Sequence, residues 1–283
     1  MGNIVSSYVF MPPMTSYDEN KPMAITWLET KTKKSIPSYF LPSKKQGVKT
    51  TVLYSHGNAA DIGLMYDFLV LLRDYLGVNI FHYEYIGYGL AREDGRGPLT
   101  PNESTTYESA EAAMNYLLES KSIPRSEIII HSQNRFGTSV GSGPSCHLAS
   151  KYTGLKGLIL ECPFTSIIRV VSPTIFARPI DIFCNINKID KVTFPVLVIH
   201  GRDDDVVPFD HGVALHAKIP EQHRYPPTWI DNGTHHNIIE RLSHKGYILL
   251  LRNFIKHCTQ QQQPPTTPSS PAVSPAPYPD EDM

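Results

Sequence analysis

Residues 127–145 read Glu-Ile-Ile-Ile-His-Ser-Gln-Asn-Arg-Phe-Gly-Thr-Ser-Val-Gly-Ser-Gly-Pro-Ser, and how this run divides decides the fold. The β-branched EIIIH (127–131) is a strand candidate, and 139–152 carries a helical pattern. Between them Gly137-Thr138-Ser139-Val140-Gly141 forms a G-x-S-x-G. A serine on a tight strand-to-helix turn tolerates only small neighbours, and its Oγ is then presented at the C-terminal edge of a sheet. The following helix aims its amide N–H groups and positive dipole end at the reacting oxygen. The stretch His131–Phe136 is longer and more polar than a strand entering such a turn should be. Either the chain bulges there or the gene carries a small insertion.

Outward from this run, short apolar segments alternate with longer helical patterns. The strand candidates are 23–29, 38–41, 51–55, 79–85, 127–131, 155–161, 195–201 and 228–232; the helical ones are 61–76, 105–119, 139–152, 209–218 and 237–257. Several strands are apolar on both sides of the pleat, as in a parallel sheet covered by helices on both faces. Right-handed βαβ units then give a doubly wound α/β sheet. No helical pattern separates the first two strands, which predicts an antiparallel hairpin at the N-terminal edge.

The composition suits a globular protein with a real core: 41% hydrophobic and 19% charged over 283 residues. A net charge of −1 argues against nucleic acid or another polyanion as partner. Cys146, Cys162, Cys184 and Cys258 form no CxxC pair and read as free thiols. No apolar run is long enough to span a bilayer, and the start lacks a secretory signal, so an intracellular protein is expected. The Gln- and Pro-rich end cannot offset chain entropy and is expected to be a disordered tail. The expected division is an N-terminal membrane-anchoring segment (1–21), a catalytic domain (22–258) and a tail (259–283).

A nucleophilic serine needs a base and an acid that fixes the imidazole tautomer. In α/β-hydrolases they follow in the order Ser, Asp, His, on loops after strands. Strand 195–201 runs into Asp203-Asp204-Asp205, and strand 228–232 into His235-His236. Three acids could instead hold a cation, but a divalent ion usually wants more oxygen ligands. A zinc site would need further partners at suitable spacing, and none is evident, so no metal or other cofactor is expected. The oxyanion hole should combine the N–H of Val140 with that of Asn58 or Ala59, from the turn Ser55–Asp61. His56 reads as a structural hydrogen-bonder in that turn.

YSHGNAAD (54–61), NIFHYEYIGYG (79–89), GTSVGSGPS (137–145), LILECPFTS (158–166), VLVIHGRDDDVVP (196–208) and HHNIIE (235–240) together resemble the family-17 group of α/β-hydrolase-domain proteins. These are membrane-associated depalmitoylases acting on the cytosolic side. The resemblance covers about 22–258. It implies the α/β-hydrolase fold with a short cap, Ser139 as nucleophile, Asp204 as acid, His236 as base, and thioester hydrolysis that removes palmitate from S-acylated proteins. The chain departs from the family in about five extra residues before the elbow, where a rival register would put Asn134 in place of the serine. His235 replaces a glycine, Glu84 replaces an aspartate, and the N-terminal cysteine cluster is absent.

In its place Met1-Gly2-Asn3-Ile4-Val5-Ser6 fits the pattern for myristoylation of Gly2. One myristoyl chain binds membranes only marginally. Lys31, Lys33, Lys34, Lys44 and Lys45 could add a basic patch. The expected partners are an S-acylated protein or acyl ester and a membrane surface, plasma membrane or endosomal, with a cytosolic pool. The rival readings are a carboxylesterase, lipase or peptidase on the same triad, and a catalytically impaired membrane-anchored binding protein. The cap, about 166–194, would line an acyl groove or simply pack on the core.

Overall fold

In the computed structural model, which describes residues 9–18, 23–95, 97–133, 140–171 and 181–261, the β-branched runs are strands of one sheet. Ile25–Glu29 (β1) and Ser35–Leu41 (β2) form the expected antiparallel hairpin, with Ile25 opposite Tyr39. Thr51–Ser55 (β3), Asn79–Tyr83 (β4), Ile128–Ser132 (β7), Gly157–Glu161 (β8), Val196–Gly201 (β9) and Thr228–Ile230 (β10) complete it. The order is β1-β2-β4-β3-β7-β8-β9-β10, parallel from β4 to β10. Glu93–Asp94 (β5) and Gly97–Pro98 (β6) form a separate ribbon that the apolar pattern does not announce.

The helices are Ile62–Leu76 (α1), Glu103–Asn115 (α2), Ser142–Lys151 (α3), Ile167–Val171 (α4), Phe209–Lys218 (α5) and Ile238–Gln261 (α6). Asp61 caps α1 by accepting from Leu64 N–H at 2.8 Å. Gly77 ends it in the left-handed region at φ 67°, its N–H on the Arg73 carbonyl. The helix expected over 105–119 starts earlier and finishes in a π-turn at Tyr116–Ser120. Helix α6 breaks at Ser243 (φ 59°) and runs on past 258 into the first glutamines.

Successive strand residues point to opposite faces. Leu53, Ile128, Ile130, Leu158, Val196 and Val198 join one hydrophobic cluster; Val52, Tyr54, Ile129, Ile159, Leu197 and Ile199 join the other. Both faces are therefore covered, which is why the central strands carry almost no polar alternation. Because the strands from β4 to β10 are parallel, their C-terminal ends share one edge. Along it Ser55 lies opposite Ser132, Glu161 opposite Ile199, and Gly201 opposite Ile230.

Candidate active site

The loops leaving that edge are tied to one another. Gln133 N–H reaches the Ser55 carbonyl at 3.4 Å, Cys162 N–H the Ile199 carbonyl at 2.8 Å, and Asp203 N–H the Gly233 carbonyl at 2.9 Å. Close approach excludes any side chain at Gly141, where a Cβ would lie 2.8 Å from the Ser55 oxygen and 2.7 Å from the His56 oxygen. Gly141, next to buried Val140, is thus pressed against the start of the β3–α1 turn that also holds Asn58 and Ala59. The sequence-expected nucleophile, Ser139, lies outside the described residues, as do Gly2 and Asn134.

Of the three loop acids, Asp203 and Asp205 are exposed and Asp204 is buried. Its Oδ1 accepts from Val206 N–H at 3.0 Å and Val207 N–H at 2.7 Å. Its Oδ2 lies 2.8 Å from His235 Nδ1 and 3.3 Å from His200 Nε2. Burial opposes the charge, but the bonds from His200 and His235 outweigh it and hold the carboxyl well below the usual carboxylate range.

The pairing of Asp204 with His236, expected from the family resemblance, is replaced here by a pairing with His235. His235 is 2% exposed, whereas His236 is at the surface, its ring edge-on to that of His235. The turn explains the choice. Thr234 N–H donates to Asn237 Oδ1 at 2.7 Å, and Gly201 and Gly233 pack backbone to backbone, which fixes 235 inward and 236 outward. With Nδ1–H on Asp204, Nε2 is the nitrogen left to accept a proton, and it has no partner among the described residues.

Behind the β3–α1 turn lies a second buried histidine–carboxylate pair. His56 Nδ1 donates to the Gly57 carbonyl at 2.8 Å, and Nε2 faces Glu84 Oε1 at 2.8 Å. Glu84 Oε2 accepts from Ile62 N–H at 3.1 Å and from Tyr17 O–H at 2.9 Å. His56 is thus a structural element of the turn. Glu84 reaches both the turn and α1.

Residues 9–18 are strapped across this turn. Asn58 Oδ1 accepts from Met11 N–H at 2.9 Å and Tyr88 O–H at 2.6 Å, while its Nδ2 donates to the Val9 carbonyl at 2.5 Å. Asp61 accepts from both the backbone and hydroxyl of Ser16, at 2.7 and 2.5 Å. Phe10 and Tyr17 are buried. Sequence reasoning missed this strap because nothing in residues 9–18 alone reveals that Asn58 and Asp61 are their acceptors.

Cys162 was missed as well. It follows β8, takes the left-handed backbone at φ 43°, and is buried against Asp204. Burial, then the Asp204 charge, pushes its thiol well above the ordinary range. Of the expected cap residues, Ile167 and Phe183 pack in the core; Val171 to Ile180 contribute no described side chain.

No family model matches the chain. It is 38% identical over 212 residues to alpha/beta hydrolase domain-containing protein 17C of Xenopus tropicalis, covering 75% of this chain and 63% of that one. The corresponding protein of Homo sapiens is 38% identical over 208 residues, covering 73% of this chain and 58% of the relative. The chain therefore spans about three fifths of the length of these relatives. A protein of Acanthamoeba polyphaga mimivirus whose name also reads alpha/beta hydrolase is 33% identical, covering 68% of this chain and 69% of its own. Among solved structures, an esterase of Pyrococcus furiosus shares the fold at TM-score 0.65 and 14% identity, covering 88% of this chain and 98% of that one. The 2,6-dihydroxy-pseudo-oxynicotine hydrolase does so at 0.62 and 14%, covering 83% and 67%. The chain is a member of the α/β-hydrolase domain-containing protein 17 family.

Proposed function

We propose that this hydrolase is a serine thioesterase removing palmitate from S-acylated proteins, with Ser139 as nucleophile, His235 as base and Asp204 as the acid that orients it. The observation that carries the reading is the buried Asp204–His235 pair at the sheet edge, its Nε2 without a partner among the described residues. Ser139 Oγ attacks the acyl carbonyl while Nε2 takes its proton. Asp204 keeps the tautomer that leaves Nε2 free and stabilises the imidazolium that forms. The Val140 N–H and that of Asn58 or Ala59 meet the developing oxyanion. The thiolate leaves with the proton returned by His235, and water then hydrolyses the acyl-serine by the same relay.

The substrate class rests on the family resemblance, since fold and triad alone do not choose among acyl substrates. Membrane attachment through myristoylated Gly2 rests on the Met1–Ser6 pattern. The lysines support it less. Lys33, Lys34 and Lys44 are engaged by Glu29, Asp94 and Asp74. No described helix is long and apolar enough to cross a membrane.

Hydrolysis of a palmitoyl-thioester peptide by wild type and by Ser139→Ala tests the reading. Turnover that vanishes with the hydroxyl supports it. Hydrolysis of short esters with no thioesterase activity would favour the carboxylesterase rival. Failure of the wild type to react with a fluorophosphonate would favour the impaired binding protein.

A further inference from the structure

Cys162, Asp204 and His235 stand at the ends of three different strands or their following loops, so no sequence spacing links them. In space their donor atoms, one from each side chain, lie within 4.8 Å of one another, and all three residues are buried. Proposed catalysis uses Asp204 and His235 and gives Cys162 no part. A small cavity of about 10 Å³ abuts Cys162 and His235, with Gln133 and Glu161 on its wall. That is room for about one water.

We infer that Cys162, Asp204 and His235 form a site for a thiophilic divalent cation of the zinc class, whose occupancy shuts the hydrolase off. A thiolate, a carboxylate and an imidazole are the ligands such an ion takes, in tetrahedral geometry with a fourth position for water. Magnesium or calcium would need more oxygen donors than the site supplies. The charges also close: one thiolate and one carboxylate neutralise a dication, so a fully buried ion leaves no net charge.

The protons balance as follows. The ion displaces the Cys162 thiol proton to solvent. If it binds His235 Nδ1, the proton there reappears on Nε2; if it binds Nε2, that lone pair is taken directly. Either way Nε2 can no longer accept the serine proton. Cation binding stands apart from the thioesterase reading; only the inhibition rests on His235 as base.

The test uses the full chain and metal alone. Cadmium titration of wild type should give a thiolate-to-cadmium charge-transfer band saturating at one ion, competed away by zinc. Cys162→Ser should abolish the band and weaken binding by more than the ~10–100-fold that losing an outer-shell partner costs, while Cys184→Ser keeps it. Zinc should suppress fluorophosphonate labelling of wild type reversibly, chelator restoring it, and should leave labelling of Cys162→Ser unaffected. Where Cys162→Ser misfolds by circular dichroism, Cys162→Ala, which buries no hydroxyl, is read instead. Absence of the band in wild type, or its persistence without Cys162, overturns the site. A normal band on a protein that never labels would sink the serine-hydrolase reading and leave the site standing.

Discussion

His235 Nδ1 lies 2.8 Å from Asp204 Oδ2, with both side chains fully buried, while the adjacent His236 faces solvent. A one-residue difference in the loop therefore decides which imidazole pairs with the buried carboxylate, and in the proposed mechanism that imidazole is the base. His235→Ala should lower hydrolysis of a thioester peptide by several orders of magnitude, leaving only the residual rate due to binding and the oxyanion hole. His236→Ala should retain most activity. The reverse pattern, measured on variants of equal melting temperature, would return the role to His236 and require a different turn from Gly233 to Asn237.

Asp204→Asn keeps the shape but loses the acceptor that fixes the His235 tautomer, and kcat should fall by about 10⁴. Asp203→Asn and Asp205→Asn alter exposed carboxylates and should be mild. Asp204 also binds Val206, Val207 and His200, so the variant should be less stable as well. Single-turnover rates on the folded fraction separate the two effects. A severe loss in Asp203→Asn or Asp205→Asn instead would contradict the assignment.

Much of this was legible from residue pattern. The central strands are nearly continuous Val/Ile/Leu runs because both sheet faces are covered, and the hairpin followed from two strands with no helix between them. Asp204 came from the resemblance, and it is the buried one of the three loop acids. Which of His235 and His236 turns toward Asp204 was not legible, because it depends on Asn237 capping the turn and on the Gly201–Gly233 contact, neither of which has a period. The proximity of Cys162 to Asp204 and His235 was hidden for a related reason: the three come from different strands, and only the fold brings them together.

The strap should be worth measurable stability. Tyr17 O–H serves Glu84 and receives Leu90 N–H at 3.2 Å in a buried setting. Tyr17→Phe leaves a buried carboxylate short of a donor and should cost about 1–3 kcal/mol, about 2–12 °C in melting temperature at this size. Asp61→Ala removes both the α1 cap and the Ser16 anchor and should cost more. An unchanged melting temperature for both variants would mean that the strap is not seated on the turn in solution.

Gly2→Ala blocks N-myristoylation and should move the protein from membrane pellet to supernatant without changing turnover of a soluble ester. Unaltered fractionation of that variant would rule out the lipid as anchor.

The residues before Ser139 pose the sharpest test. Restoring ordinary strand-to-elbow spacing by deleting about five residues, Ser132–Phe136, follows from sequence alone, but the structure argues for different bounds. Ser132 closes β7 opposite Ser55 and Leu160, and Gln133 is held by Tyr54 O–H and bonds Tyr247. Deleting them strips the end of a central strand and should destabilise the protein. The chain on either side of 134–139 returns to one place: Gln133 N–H reaches the Ser55 carbonyl, and Gly141 has no room for a side chain against that same oxygen. A much shorter connection can therefore span the gap. Removing Asn134–Thr138 joins Gln133 directly to Ser139, leaving Ser132-Gln133-Ser139-Val140-Gly141, with small Ser132 at the first glycine position. This variant should fold as well as wild type and label with a fluorophosphonate at an equal or higher rate, since a misplacement of about 1 Å at the nucleophile can cost ~10²-fold. Strong labelling of the deletion variant beside an inert wild type would mean that the natural chain is the impaired binding protein. A folded deletion variant with no activity would show instead that residues 134–138 shape the acyl site.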